Sequence, residues 1–351
     1  MPYPKILSLS VIALAMSAQT ALAEGPQPSQ GVKVLSDRTE AHLKPMFEAF
    51  QTKTGIKVEP VFMEQGLINR VEGNPTEADV VITKDAELME IARDKHLIQP
   101  FASAAITDSI AKDFLAPDSS YLVDAYRARV IFYAKDRVKP GQLSTYKDLA
   151  DPKWKDKICI RSGLHDYNVA LFSQMETSYG PAETRQIIEG IHANLAREPK
   201  GNDREQAKGI FEGKCDIAMM NTYYHPIMAD NPEQKPWADA TGVFFPDQQG
   251  KGAFIMRSAL ALTTAKTNVA AATKLLEFFA SEEGQTIITN ATYQFPTNPK
   301  VPFNARLQTL GEGQPEVKNG AFKMNFVPLA QASREREAIV KVLNEVQFDK
   351  K

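Results

Sequence analysis

The first part of the chain alternates short apolar runs with segments whose apolar residues recur at helical spacing. Val32 to Leu35 has the pattern of a buried strand, and further strands are predicted at Lys57 to Phe62 and at Asp79 to Thr83. A predicted helix separates each strand from the next. The first of these helices carries its apolar face on Leu43, Met46, Phe47 and Phe50. This alternation predicts a parallel α/β sheet.

The pattern changes near residues 121–133 and then begins again. Arg127 to Tyr133 alternates polar and apolar positions as a strand does, and a second α/β set follows it. Later elements are predicted as strands at 157–161, 216–220 and 253–261, and as helices at 169–179, 181–195, 203–211, 268–281, 282–289 and 333–346. The chain contains more late strands and helices than a second α/β lobe requires. We therefore expect some of them to cross back and join the first lobe.

This arrangement predicts an α/β protein of two lobes that close like a clamshell about two hinge strands, near residues 124–130 and 250–257. We assign residues 24–126 and 251–301 to the first lobe, and residues 127–250 and 302–351 to the second. Ligands in such folds bind beyond the carboxyl ends of the parallel strands. The residues that follow strands are therefore the first candidates for function.

The N-terminus has the features of an export signal. Lys5 supplies a positive charge, Ile6 to Ala18 is mostly apolar, and Ala21 to Ala23 has the small-x-small pattern of a signal-peptidase site. A membrane anchor is the alternative, but the apolar run is short for a transmembrane helix. We expect residues 1–23 to be removed and the mature protein to act in the periplasm.

Composition narrows the function classes. The 351 residues carry a formal net charge of −2, which argues against a nucleic-acid partner. The two cysteines, Cys159 and Cys215, are predicted to form a disulfide in an oxidising compartment. Two separate buried thiols are the alternative.

Two loops of the second α/β set carry tyrosines directly after predicted strands. Tyr167 follows the strand that contains Cys159, and Tyr223 and Tyr224 follow the strand that begins after Cys215. Each cysteine lies eight residues before the first tyrosine of its loop. If the cysteines pair, the loops open side by side and present three phenols to one point.

Three phenols at one point would suit a hard trivalent cation. A phenol has a pKa of about 10, but a bound cation depresses that value and produces a hard anionic oxygen ligand. Ferric ion fits such a site. Ordinary packing by these tyrosines is the alternative. His165 and His225 stand beside the tyrosines and raise a zinc hypothesis, which the small number of further zinc ligands disfavours.

The chain resembles the bacterial periplasmic ferric-ion-binding proteins of ABC transporters over nearly all of its mature length. The most specific matching segments run from Ile160 to Asn168 and from Cys215 to Tyr224, and Tyr223 lies 56 positions after Tyr167. Other matching segments are Val34 to Arg38, Ala78 to Thr83 and Arg127 to Tyr133.

The resemblance implies a type II periplasmic-binding-protein fold and Fe(III) held in the interlobe cleft by Tyr167, Tyr223 and Tyr224. It also implies a monomer that delivers iron to an inner-membrane ABC permease. Many family members follow the Ser-x-Arg segment with a His, a Tyr or both. Here Thr39 and Glu40 occupy those positions, which is typical of the subclass with three tyrosines and few first-lobe ligands.

In that subclass a carbonate-like anion held by arginines can complete the coordination. Arg38 and Arg127 stand at matching places, and Arg129 shares a strand face with Arg127. The alternative for each arginine is a salt bridge between the two lobes. Glu40 is a candidate for direct coordination, with Thr39 beside it.

The sequence leaves two other function classes as alternatives. A binding protein of the same fold could take a small organic or anionic solute, such as a phosphonate, thiamine or a polyamine. An enzyme is disfavoured, because the sequence contains none of the nucleophile-elbow, His-Glu-x-x-His or phosphate-loop motifs.

Overall fold

The computed structural model describes Met1 and residues 31–351. The predicted signal segment, residues 1–23, lies outside the described residues apart from Met1. Among the described residues, none of the helices combines the length and the apolar character that a bilayer crossing requires.

Strands and helices alternate through most of the described chain. The strands are β1 (Gly31–Ser36), β2 (Lys57–Phe62), β3 (Val80–Thr83), β4 (Ile98–Gln99), β5 (Leu122–Ala134), β6 (Ile158–Cys159), β7 (Ile217–Asn221), β8 (Thr241–Phe244), β9 (Ala253–Thr263), β10 (Phe295–Pro296) and β11 (Met324–Asn325). The α-helices are α1 (Glu40–Thr54), α2 (Leu67–Gly73), α3 (Glu87–Asp94), α4 (Ala104–Thr107), α5 (Asp166–Tyr179), α6 (Pro181–Ala193), α7 (Asp203–Phe211), α8 (Tyr224–Asp230), α9 (Lys235–Ala240), α10 (Val269–Ala280), α11 (Glu282–Thr292), α12 (Ala305–Gln308) and α13 (Leu329–Glu345). Short 3-10 helices lie at Lys112–Phe114, Pro140–Gln142, Tyr146–Ala150 and Pro152–Trp154.

Two long antiparallel strands join the two halves of the sheet. The path through the sheet is β2-β1-β3-β9-β5-β7-β6, and the pairs β1–β2, β1–β3 and β6–β7 are parallel. The first part of β5 pairs with β9, whereas its last part pairs with β7 and β8. β9 in turn reaches β3 through its last residues. The predicted two-lobed fold with two hinge strands is confirmed.

The first hinge strand differs from its prediction in length and in burial. β5 begins at Leu122 instead of near Arg127, and all thirteen of its residues are buried. The polar alternation in this strand therefore does not mark a solvated face. Asp124, Arg127 and Arg129 are charged side chains that the fold buries.

The second half of the sheet has its own hydrophobic core. That core combines Ile131 of β5, Phe172 of α5 and Ile217 of β7 with the C-terminal Leu343 and Phe348. α13 begins at Leu329, about one turn before the predicted Ser333, and packs against both α5 and α3. The C-terminal helix thus contacts both halves of the molecule.

The sequence did not predict several short elements. These are β4, β8, β10, β11, α4, α8, α9 and α12, none of which exceeds seven residues. Periodicity needs more residues than such elements contain, so only tertiary pairing defines them.

Candidate functional site

Neighbouring parallel strands position the two tyrosine loops. Cys159 at the end of β6 pairs in register with Ala218 of β7, so the loops that follow both strands open at the same edge of the sheet. The Cys159–Cys215 disulfide is present, with the two Cα atoms 5.8 Å apart, and confirms the predicted bond. Gly209 of α7 packs over it, because a Cβ there would lie 3.2 Å from both sulfur atoms.

The structure brings the three predicted tyrosines together. The hydroxyl of Tyr223 donates a hydrogen bond to the hydroxyl of Tyr167 over 3.3 Å. The rings of Tyr223 and Tyr224 lie 4.3 Å apart, centroid to centroid. Tyr167 and Tyr223 line the cleft, whereas Tyr224 packs behind Tyr223 and is half-buried.

The cleft between the lobes contains a cavity of about 530 Å³. Its first-lobe wall comes from the residues that follow β1, β2 and β3, and its second-lobe wall comes from the two tyrosine loops. The cavity wall includes Arg38, Thr39, Glu40, His42, Arg127, Tyr167 and Tyr223. The carboxyl ends of both sets of parallel strands therefore face one cavity.

Burial favours the protonated form of the Tyr223 and Tyr224 phenols, because it raises the pKa of both. It raises the pKa of Tyr223 well above its usual range, and the neighbouring Tyr167 and Tyr224 phenols add to the rise while Arg127 opposes it. Burial likewise raises the pKa of Tyr224 to about 12. A cation at this point has to displace phenol protons.

Two arginines of the cavity wall have unused donors. Arg38 donates from Nη1 to Asp124 Oδ2 at 2.5 Å, but its buried Nη2 has no partner among the described residues. Arg127 donates from Nη1 to Ser258 Oγ at 3.2 Å, and its buried Nε is likewise unpartnered there. Buried unpaired donors are costly, so this wall fits a bound anion.

The third predicted arginine does not share this environment. Arg129 is fully buried outside the cavity wall, and its Nη1 lies 2.5 Å from Asp203 Oδ2. Alternation along β5 places Arg129 on the same strand face as Arg127. It could not show that the partner of Arg129 is Asp203, which is distant in the sequence. Both Arg129 and Asp203 fall within 127–250, so this pair is not the predicted salt bridge between the lobes, and Arg129 does not reach the cavity that Arg38 and Arg127 line.

Thr39 and Glu40 are exposed and line the first-lobe wall. Sequence reasoning missed His42, which lies two residues further along on the first turn of α1 and also lines the cavity. Burial lowers the pKa of His42 to about 4, with Arg38 and Arg127 contributing. The imidazole is therefore neutral near pH 7. Its place just after β1, one turn from Arg38, was the available signal.

The two histidines beside the tyrosines have structural contacts. His165 accepts a hydrogen bond at Nδ1 from the Tyr167 amide at 3.1 Å and so caps α5. His225 packs near Phe132 with a ring separation of 6.2 Å. Within residues 31–351, no three His, Cys, Asp or Glu side chains form a group that could hold a metal ion.

Comparisons with known proteins give a consistent result. Iron uptake protein A1 of Synechocystis sp. is 32% identical over 94% of this chain and 90% of its own length. The structure of apo ferric ion-binding protein A of Pasteurella haemolytica matches with a TM-score of 0.83 and 34% identity, covering 92% of this chain and 99% of that one. A Trichodesmium protein in complex with iron and citrate ligands matches with a TM-score of 0.81 and 30% identity, covering 91% and 99%.

The sequence model of one family also matches residues 76–312, which include both tyrosine loops and both hinge strands. The members of that family are transport proteins that bind solutes, and the fold and the interlobe cavity agree with this. The chain belongs to the bacterial extracellular solute-binding protein family.

Proposed function

We propose that this protein captures Fe(III) in the interlobe cleft and delivers it to an inner-membrane ABC permease. The observation that carries the proposal is the convergence of Tyr167, Tyr223 and Tyr224, with two of their hydroxyls 3.3 Å apart at the wall of one cavity. Phenolate oxygens are hard anionic donors, and three of them balance a trivalent cation. Relatives named for iron uptake and ferric-ion binding support the same cargo.

An anion held by the arginines of the cavity wall completes the proposed site. Arg38 and Arg127 offer unpaired buried donors, and guanidinium groups suit a planar oxyanion such as carbonate. Glu40, Thr39 and the neutral His42 are further candidate contacts on that wall. Because the wall combines cationic and neutral donors, the anion would offset the charge of the arginines and occupy coordination positions that the tyrosines leave open.

Closure of the cleft is the expected motion. In this proposal the lobes are residues 24–126 with 251–301 and residues 127–250 with 302–351, and they rotate about β5 and β9. Lys84 Nζ, after β3, lies 3.5 Å from Asp166 Oδ2 at the start of α5, so the two walls already make contact across the cleft. We further propose that the mature protein works as a monomer in the periplasm after removal of residues 1–23, and that the permease recognises the closed form.

Visible spectroscopy tests the iron assignment directly. Addition of Fe(III) to the iron-free protein should produce a broad phenolate-to-iron charge-transfer band and an orange to purple colour. Tyr223→Phe should lose most of that band, since it removes one phenolate ligand.

Tyr133→Phe is the matched control, because Tyr133 is buried in the second lobe but does not line the cavity. Its spectrum should equal that of the wild type. If the wild type gave no band, or if the band survived Tyr223→Phe unchanged, the iron assignment would fail. A colourless small organic or anionic cargo would then become the better hypothesis.

A further inference from the structure

A fully buried ion pair lies directly beneath the tyrosine cluster. Arg129 of β5 and Asp203, the first residue of α7, both have side chains with 0% exposure, and Arg129 Nη1 lies 2.5 Å from Asp203 Oδ2. Burying two charges costs more desolvation energy than such a pair commonly returns, so the pair is weak evidence for stability alone. Its contacts suggest a more specific role.

On one side the pair holds the loop of Tyr167. Arg129 Nη2 donates to Asn168 Oδ1 at 2.8 Å, and Asn168 immediately follows Tyr167. The amide nitrogen of the Asn168 side chain donates to the carbonyl oxygens of Arg161 and Ser162, at 3.1 and 3.0 Å. Asn168 therefore ties the first turn of α5 to the segment that follows β6.

On the other side the pair holds the loop of Tyr223. Asp203 Oδ2 also accepts a hydrogen bond from the backbone amide of Asn221 at 3.1 Å, two residues before Tyr223. The Asn221 side chain then reaches the Tyr223 hydroxyl at 3.4 Å. The pair thus connects two loops that are distant in the sequence.

The Asp203 carboxylate also orients guanidinium groups that lie beside the Tyr167 ring. Asp203 Oδ1 accepts from Arg161 Nη1 at 3.3 Å. The guanidinium carbons of Arg161 and Arg129 lie 5.2 and 5.8 Å from the centroid of the Tyr167 ring, within the range of a cation–π contact. Arg127 also faces this ring, at 5.5 Å, so one anionic group orients two of the three cations around it.

We infer that Arg129 and Asp203 are positioning residues, which hold the Tyr167 and Tyr223 hydroxyls at the separation that a single cation requires before it arrives. The inference rests on the proposed function, because it assigns the pair a role in ordering the same phenols. Residues that orient metal ligands typically contribute about tenfold to a hundredfold to metal affinity.

Two variants test it by different routes. Asp203→Asn keeps the shape of the side chain and removes its charge, whereas Asn168→Ala cuts only the connection to the Tyr167 loop and leaves the ion pair intact. Asp216→Asn is the matched control, because Asp216 belongs to the same lobe and pairs with Arg137 near the surface, with Arg137 Nε 2.6 Å from Asp216 Oδ1.

Each variant is titrated with Fe(III) against a citrate competitor, and its charge-transfer band and its thermal unfolding are recorded. We expect Asp203→Asn and Asn168→Ala to bind iron at least about tenfold more weakly, with a displaced band maximum. Asp216→Asn should match the wild type within about twofold, as expected for a surface pair. The band reports only folded, iron-bound molecules, so a purely structural role would lower the melting temperature and leave the band maximum unchanged.

The outcomes separate the two hypotheses. If the wild type shows the band, Tyr223→Phe loses most of it and both network variants keep the wild-type band and affinity, the positioning role is overturned and the iron assignment stands. If the wild type shows no band, both are overturned. Should Asp203→Asn fail to fold, Asn168→Ala alone decides, since it retains both charges of the pair.

Discussion

The hydroxyl of Tyr223 donates a hydrogen bond to the hydroxyl of Tyr167, although 56 residues separate the two in the chain. Both residues follow strands of one parallel pair that a disulfide links. The phenols therefore meet because of strand order and not because of local sequence.

Iron binding is expected to release phenol protons. Burial raises the pKa of Tyr223, so its hydroxyl keeps its proton throughout the neutral range until a cation displaces it. Ferric nitrilotriacetate added to weakly buffered protein at pH 7 should therefore acidify the solution. Tyr223→Phe should release about one proton fewer per bound iron. Equal release by both proteins would contradict direct coordination by this phenol.

An oxyanion should strengthen iron binding through Arg127. Its Nε is buried without a partner at the cavity wall, so an anion supplies the missing acceptor. We expect bicarbonate to raise the apparent Fe(III) affinity of the wild type and to have little effect on Arg127→Gln. Isothermal titration with and without bicarbonate measures this.

The corresponding Arg38 variant needs a second change. Arg38→Gln alone would leave Asp124 buried and unpaired, at a cost of about 3–5 kcal/mol. The double variant Arg38→Gln/Asp124→Asn removes both charges. No buried charge is then left unpaired, so the effect of bicarbonate can be compared directly with its effect on the wild type. If bicarbonate had the same effect on wild type, Arg127→Gln and the double variant, the arginine wall would not be an anion site.

The disulfide should stabilise the second lobe. Cys159 and Cys215 close a loop of 56 residues, for which chain entropy gives about 4 kcal/mol. Replacing both cysteines with serine should lower the free energy of unfolding by roughly that amount, as measured in denaturant. A loss below about 1 kcal/mol would show that the unfolded chain is already restricted in this region.

Glu87 should make stability depend on pH. Burial raises the pKa of Glu87 from 4.5 to about 7, Asp85 adds to the rise, and Arg336 opposes it. The Glu87 carboxylate lies 2.8 Å from Arg336 Nη1 and accepts a hydrogen bond from Gln174 at 3.2 Å. Because the folded state binds this proton more tightly than the unfolded state does, its contribution is largest below about pH 4.5 and is lost as the pH rises to about 7.

Glu87→Gln isolates this effect, since a neutral amide cannot titrate. The free energy of unfolding of the wild type, relative to that of the variant, should fall by about 1–3 kcal/mol between pH 4.5 and pH 7.5. Urea denaturation of both proteins across this range measures the difference. A constant difference would mean that Arg336 fully compensates the buried carboxylate.

Much of the fold could be predicted from the chain itself. The apolar periodicity of α1 is clear because the helix buries one face, and β1 is an apolar run because all its residues but Lys33 are buried. The matched spacing of Cys159 and Cys215 before their tyrosines indicated that the two loops open side by side. These are local or repeated patterns, which the sequence carries directly.

The partners of the buried charges were decided by tertiary structure. Alternation along β5 indicates that Arg127 and Arg129 share a strand face, but only the crossing of β5 between the two sheet halves sends one to the cavity and the other to Asp203. His42 was likewise missed, because its position in α1 indicates the side of the helix on which it lies but not that this side borders the cavity. The sequence by itself determined the α/β lobes and the tyrosine loops. Contacts between residues far apart in the chain depend on packing, and so only the folded protein fixed which charges pair, which donors stay free and where the cavity lies.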